Sequence, residues 1–229
     1  MCSSDLAISQ ANIRLAGSHA GVSIGEDGPS QMALEDLAMM RAIHGSTVLY
    51  PCDANQTARL VGVMADLKGI SYLRTTREKT AILYPDPGDQ DFRVGGSRIV
   101  RGGSADDQVT VVAAGITVHE AVKAADAPGA PRLRLIDAYS VKPIDGETIV
   151  AAIRATAGRL IVVEDHWEQG GIGEAVLAAI AAAGATRDLA AFRHLAVRDM
   201  PGSGKPAELL DRAGISATGI TAAARELIG

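Results

Sequence analysis

The sequence predicts an α/β protein built as two α/β units with mostly parallel sheets. Three observations carry that prediction. Short β-branched, apolar runs alternate with longer runs of helical period along most of the 229 residues. The alternation stops once, between residues 78 and 107, in a stretch rich in Pro, Gly and Asp, and then restarts. Aromatic residues make up 3% of a chain that is 47% hydrophobic, so the core must be assembled from Ala, Val, Ile and Leu, as in helix-covered parallel sheets.

Taken in order, residues 7–15 read as the tail of a helix or connection running into a short strand, IRLAG. The loop Gly17–Gln31, GSHAGVSIGEDGPSQ, comes next. Its glycines let the backbone turn where side chains would clash, and Pro29 suits the first turn of a helix. Asp27 and Ser30 are each able to cap that helix. His19, Asp27 and Gln31 thus lie on or beside a rigid loop feeding a helix N-terminus, a place suited to a polar or anionic ligand. Ala33, Leu34, Leu37, Ala38 and Met40 recur at helical spacing in MALEDLAMMRAI, and Gly45 closes that helix. TVLYP reads as a buried strand. Asp53 caps the helix TARLVGVMADLKG, ended by Gly69. ISYLRTT is the next strand and delivers Arg77 at its C-terminal end, where open parallel sheets gather ligands.

The segments YPDPGDQD and RGGSADD mark loop, with RVGGSRIVR between them as a short hairpin or edge strand. From Gln108 onward VTVVAAG, LRLIDA, RLIVVED and FRHLAV read as strands. They alternate with the helices ITVHEAVKAADA, GETIVAAIRATAG and EAVLAAIAAAGA, and two short helices, PAELLDRAG and TGITAAARELI, finish the chain. Four strands alternating with helices predict a doubly wound domain.

The net charge of −5 argues against a nucleic-acid partner. No apolar run is long enough to span a bilayer. Two cysteines, Cys2 and Cys52, make neither a disulfide framework nor a metal motif, and the expected setting is cytoplasmic. Residues 1–6, MCSSDL, lack the basic flank and apolar stretch of a signal peptide.

The run GSHAGVSIGEDGPSQMALEDLAMMRAI, then VLYPCDA, YLRTTRE, DDQVTVVAAGITVHEA, VEDHWEQGGIGEAV and GSGKPAELL, resembles transketolases, the animal-type branch more than the yeast-type one. The resemblance covers Ala7 to the end, leaves out residues 1–6, and is to roughly the last third of the family's length. It implies an incomplete first domain, 7–84, of the thiamine-enzyme pyrimidine-binding type, a linker at 85–107, and a doubly wound transketolase C-terminal domain at 108–229.

The resemblance also implies a reaction. A two-carbon ketol unit moves from a ketose phosphate to an aldose phosphate, with thiamine diphosphate as electron sink and Mg²⁺ beside it. His19, Asp27 and Arg77 match family residues that bind the substrate. The histidine stands near its phosphate, the aspartate accepts from a sugar hydroxyl, and the arginine grips the phosphate. Gln31 matches a position that contacts the thiamine cofactor. No residue is assigned as catalytic or as a metal ligand. The Gly-Asp-Gly and asparagine signature for thiamine diphosphate and metal is not in this sequence, and the cofactor-activating glutamate falls upstream of the segment matched. Cofactor and Mg²⁺ are therefore expected to be bound mainly by an N-terminal transketolase chain, in a homo- or hetero-oligomer, and the isolated chain to be inactive. The alternatives are a beta-type subunit of a related thiamine enzyme (deoxyxylulose-phosphate synthase or 2-oxo acid dehydrogenase) and a non-catalytic α/β interaction module.

The remaining polar residues read as structural. Glu26 belongs to the loop, and Arg74, opposite Arg77 on an extended strand, suits an ion pair. Glu164, Asp165 and His166 belong to the second domain's framework, where Trp167 and Glu168 replace aromatics common in relatives. His119 reads as packing, Cys52 as a surface thiol, and SGK at 203–205 lacks the rest of a P-loop.

Overall fold

The computed structural model describes residues 2–85 and 91–229, with side chains from Asp5 onward. Residues 86–90, part of the loop read from composition, lie outside the described residues. After a short helix α1 (Cys2–Ile8), the first unit runs β1 (Ile13–Gly17), α2 (Asp36–Ala42), β2 (Thr47–Leu49), α3 (Ala54–Asp66) and β3 (Ile70–Arg74). The second begins with β4 (Arg98–Arg101), β5 (Val109–Ala113), α4 (Ile116–Asp126), β6 (Leu133–Asp137) and β7 (Ser140–Lys142). It continues through α5 (Gly146–Ala155), β8 (Arg159–Trp167), α6 (Ile172–Ala182), β9 (Ala191–Val197), α7 (Pro206–Arg212) and α8 (Ala217–Ile228).

The first sheet has the order β1-β3-β2-β7 and the second β4-β6-β5-β8-β9. Pairing is parallel except at one edge of each, where β7 and β4 run antiparallel. The segment read as RVGGSRIVR supplies the edge strand β4. Strand β5 is buried throughout, and its side chains alternate between two apolar layers. Val109, Val111 and Ala113 pack with Ile116 and Val118 of α4 and Ile220 of α8. Val112 packs on the other side with Ile149 and Ile153 of α5 and Val176 of α6. Helices therefore cover both faces, as the buried β-branched strands require.

Both apolar layers cross from one sheet to the other. Leu49, Leu60 and Leu73 of the first unit pack in the layer of Val111 and Leu135, while Leu37 and Val48 pack in that of Val112 and Ile136. Each such side chain contributes about 1.5–3 kcal/mol when fully buried, so the units share one stabilising interior. Strand β7 strengthens the join. It lies directly after β6 in the chain yet pairs with β2, and Lys142 Nζ donates to the carbonyls of Arg41 and Ile43 at the end of α2.

Two local expectations are corrected. The helix read through MALEDLAMMRAI starts only at Asp36, because the Met32 carbonyl is taken by Gly21 N (2.7 Å) and Ala33 has a positive φ of 46°. The residues before it form 3-10 turns at Val22–Asp27 and Pro29–Gln31, and neither Asp27 nor Ser30 caps a helix. Cys52 is a buried thiol, not a surface one, and burial pushes its pKa up. Asp53, in contrast, caps α3 as expected, accepting from Gln56 N at 2.7 Å.

Cys52 borders a buried carboxylate between the units. Asp137, at the end of β6, accepts at Oδ2 from Gln56 Nε2 (2.7 Å), Tyr84 OH (2.9 Å) and Cys52 Sγ (3.6 Å), and His119 hydrogen-bonds the Cys52 carbonyl. Burial raises the Asp137 carboxyl to about 6 despite these three donors. In the unfolded chain it titrates near its ordinary value of 3.8. Between those values the folded state binds more protons, so this group's contribution falls as pH rises, by on the order of 3 kcal/mol in all. Wild type should therefore lose stability relative to Asp137→Asn as pH rises from 4 to 7, read from urea midpoints of the two proteins. A gap that stays constant across that range would contradict the assignment.

Candidate active site

Parallel strands β1 and β3 are neighbours with Gly17 opposite Arg74, so the segments leaving the two strands emerge at one end of the sheet. His19 lies two residues past β1 and Arg77 three past β3. The two exits are laced together, Thr75 N donating to Gly17 O (2.8 Å) and Ala20 N to Thr75 O (3.2 Å). The loop after His19 is closed by the Gly21–Met32 bond, which puts Gln31 next to its neck.

His19, Asp27, Gln31 and Arg77 are all exposed. His19 holds a positive φ of 66°, uncommon for a residue with a side chain and of a kind that clusters at functional sites. Its Nδ1 bonds Ser18 Oγ at 2.8 Å, leaving Nε2 open among the described residues. The Gln31 side-chain amide likewise meets no hydrogen-bond partner among the described residues.

Asp27 and Arg77 are brought together. Arg77 Nη1 stands 3.3 Å from Asp27 Oδ2 and donates to Ile24 O at 3.2 Å, with side chains 43% and 42% exposed. An ion pair so wet is worth about 0–1 kcal/mol, so a ligand can exchange with it at little cost. The rest of the Arg77 fork, Nε and Nη2, is unpartnered among the described residues.

Arg74 behaves oppositely. It is fully buried, its Nε 3.0 and 2.9 Å from the two Asp36 oxygens and its Nη2 2.9 Å from the Asp165 carbonyl. Its guanidinium lies 4.6 Å over the Tyr50 ring. Burial alone would lower its pKa, but Tyr50, Asp36 and Asp165 outweigh burial and hold it above the ordinary value. Tyr72 OH donates to Asp36 at 2.6 Å, and burial first, then Asp36, raises that phenol. The ion pair expected for Arg74 is present, but sequence reasoning missed its partner Asp36 and the supporting Tyr72. The available signal was Tyr72 and Arg74 at i and i+2, on one face of a strand.

Asp165 reaches the loop from the second unit. Its carboxylate accepts from Val22 N (2.7 Å) and Ser23 N (3.4 Å), and burial raises its pKa although Arg74 and these amides oppose the shift. Its neighbours are also structural. Glu164 accepts from Ile172 N and Gly173 N (2.5 and 2.9 Å) and meets His194 Nε2, while His166 Nε2 accepts from Ala38 N at 3.3 Å. SGK at 203–205 packs against the same loop, and Lys205 only approaches Glu208 at 3.9 Å. Among the described residues no group of three or more His, Cys, Asp or Glu is placed to hold a metal ion, and no helix is long and apolar enough to cross a membrane.

Known proteins share both units. Residues 98–220 match the family "Transketolase, C-terminal domain" and residues 1–81 match "Transketolase, pyrimidine binding domain". The latter match includes residues 1–6, which the motif resemblance leaves out. Transketolase-like protein 2 of Mus musculus is 50% identical over 224 residues, 97% of this chain and 35% of that protein. Transketolase of Homo sapiens is 50% identical over 225 residues, again 97% of this chain and 35% of the relative. The chain thus spans about a third of the length of the curated relatives it matches. A solved structure described as a split gene transketolase, inactive beta4 tetramer, superposes with a TM-score of 0.78 at 31% identity, covering 94% of this chain and 66% of that one. On the two domain matches and the identity to animal transketolases, this chain belongs to the transketolase family.

Proposed function

We propose that the chain supplies the sugar-facing part of a transketolase active centre, transferring a two-carbon ketol unit between ketose and aldose phosphates. The observation that supports this best is the exposed Asp27–Arg77 pair at the common exit of β1 and β3, with most of the arginine fork open. In this reading Arg77 offers that fork to the substrate phosphate. Asp27 accepts from a sugar hydroxyl, and His19 Nε2 meets the sugar near its phosphate. Gln31, an exposed amide at the neck of the loop, faces the cofactor. Thiamine diphosphate, when bound, supplies the nucleophilic carbon and the electron sink. The Gln31 side-chain amide, without a partner among the described residues, fits a contact to that group, whereas its diphosphate and Mg²⁺ need ligands from the rest of the family's length. Those come from an N-terminal transketolase chain, or from the same polypeptide upstream, and the fragment alone is inactive. The split-gene likeness supports the two-chain arrangement and an oligomer.

The test is an assembly of this chain with an N-terminal transketolase part, thiamine diphosphate and Mg²⁺. It should turn over xylulose 5-phosphate with ribose 5-phosphate. Turnover of pyruvate instead would favour the related thiamine enzymes and overturn the reading. In the active assembly, Arg77→Ala should raise KM for phosphorylated sugars roughly 10- to 100-fold, the loss of a charge-assisted bond of about 1.5–3 kcal/mol. Asp27→Ala should lower discrimination between sugars differing at the recognised hydroxyl by an order of magnitude or more. Unchanged KM and selectivity in these two variants would remove both residues from the site.

A further inference from the structure

We propose that Asp165 is a positioning residue, whose carboxylate reaches across from the second domain and holds the loop carrying His19 and Asp27 in its ligand-ready shape. For the identity of the ligand this inference rests on the proposed function; the brace itself does not.

Val22 and Ser23 open a 3-10 turn, and the first amides of any such turn lack partners within it. No side chain of the turn's own cap serves them. Asp165, 143 residues away in sequence, takes both, Val22 N at 2.7 Å and Ser23 N at 3.4 Å. The backbone must come very close for this. Gly21 has φ 93°, and a Cβ there would lie 2.0 Å from Asp165 Oδ2, so any other residue would push the carboxylate off the amides.

A second fastening comes from the same domain. Gly25 sits against Pro206 and the Gly204 carbonyl, where a Cβ would stand 2.9 and 3.1 Å from them, and Gly28 sits against Ser203. Glu26 and Asp27 are the exposed residues between these fastened glycines. The loop is thus clamped on its flanks and presented at its tip. A fully buried carboxylate is also a costly way to fill space, since an apolar residue of similar size would do so without desolvating a charge. Its use here is to satisfy two amides that only an acceptor can hold.

The test uses amide hydrogen exchange on the full chain, comparing wild type with Asp165→Ala and the near-isosteric Asp165→Asn. Exchange across residues 20–32 should speed up by about tenfold or more in Asp165→Ala while β5 and β8 stay protected, because the loop opens locally. Asp165→Asn should lie between the two, since one acceptor oxygen remains. Loop exchange that is unchanged, or that rises in step with β5, would overturn the brace. If Asp165→Ala fails to fold, Asp165→Asn decides by the same comparison. In an active assembly, Asp165→Asn should raise KM for the sugar phosphate severalfold with kcat nearly kept, because a bound ligand restores the competent loop at saturation. An unchanged KM would sever the brace from ligand binding. An assembly that is inactive even with the unaltered chain would refute the proposed function, and exchange would still decide the brace.

Discussion

The Arg74 guanidinium is the interaction on which the rest of this structure depends. It is a full charge with no exposure, placed where the end of β3, the start of α2 and the C-terminal end of β8 converge. A buried charge is tolerated only when it is paired and hydrogen-bonded. Asp36 supplies the pair, the Asp165 carbonyl a further acceptor and Tyr50 an aromatic face. Arg74 therefore demands that α2 and the second domain stand where they do. Removing one partner of such a buried pair costs about 3–5 kcal/mol, a large share of the roughly 5–15 kcal/mol that keeps a domain folded.

The same tie leads to the site. Asp165 receives Arg74 on its carbonyl and the loop amides on its carboxylate. One residue thus joins the buried arginine to the loop of His19 and Asp27. Three residues further along the chain, Arg77 is half exposed and in a weak, wet pair. Two arginines near the end of one strand divide the work: the buried one fixes the frame, and the exposed one is free to exchange its partner. The proposed binding and release of a substrate phosphate calls for the second kind, mounted on the first.

Much of the fold was legible in the sequence because its signals are local. Buried strands such as VTVVA and RLIVVED announce themselves by β-branched composition, and Asp53 caps α3 from one residue away. The failures share a cause, which is contact between distant residues. The Met32 carbonyl goes to Gly21, so the expected helix starts late, and Asp27 turns to Arg77 instead of capping. Cys52 is buried because β6 and Asp137 lie over it. The pairing of β7 with β2 crosses between the units and leaves no trace in period or composition. The candidate residues His19, Asp27, Gln31 and Arg77 were named from the family resemblance, and their site role is proposed here. Their supports Asp36 and Asp165 were not, because a buried polar residue announces its partner only in three dimensions, and Tyr72 left only its i, i+2 spacing to Arg74 as a signal.

The most direct test of this account is calorimetric unfolding of the full chain beside Arg74→Met. Wild type should melt in one transition whose calorimetric and van't Hoff enthalpies agree, because the shared interior and the Arg74 tie make the two domains one cooperative unit. Arg74→Met should split that transition, the first domain melting below the second. A single transition at the wild-type temperature in Arg74→Met would contradict the claim that this guanidinium holds the domains, and with them the ligand loop, together.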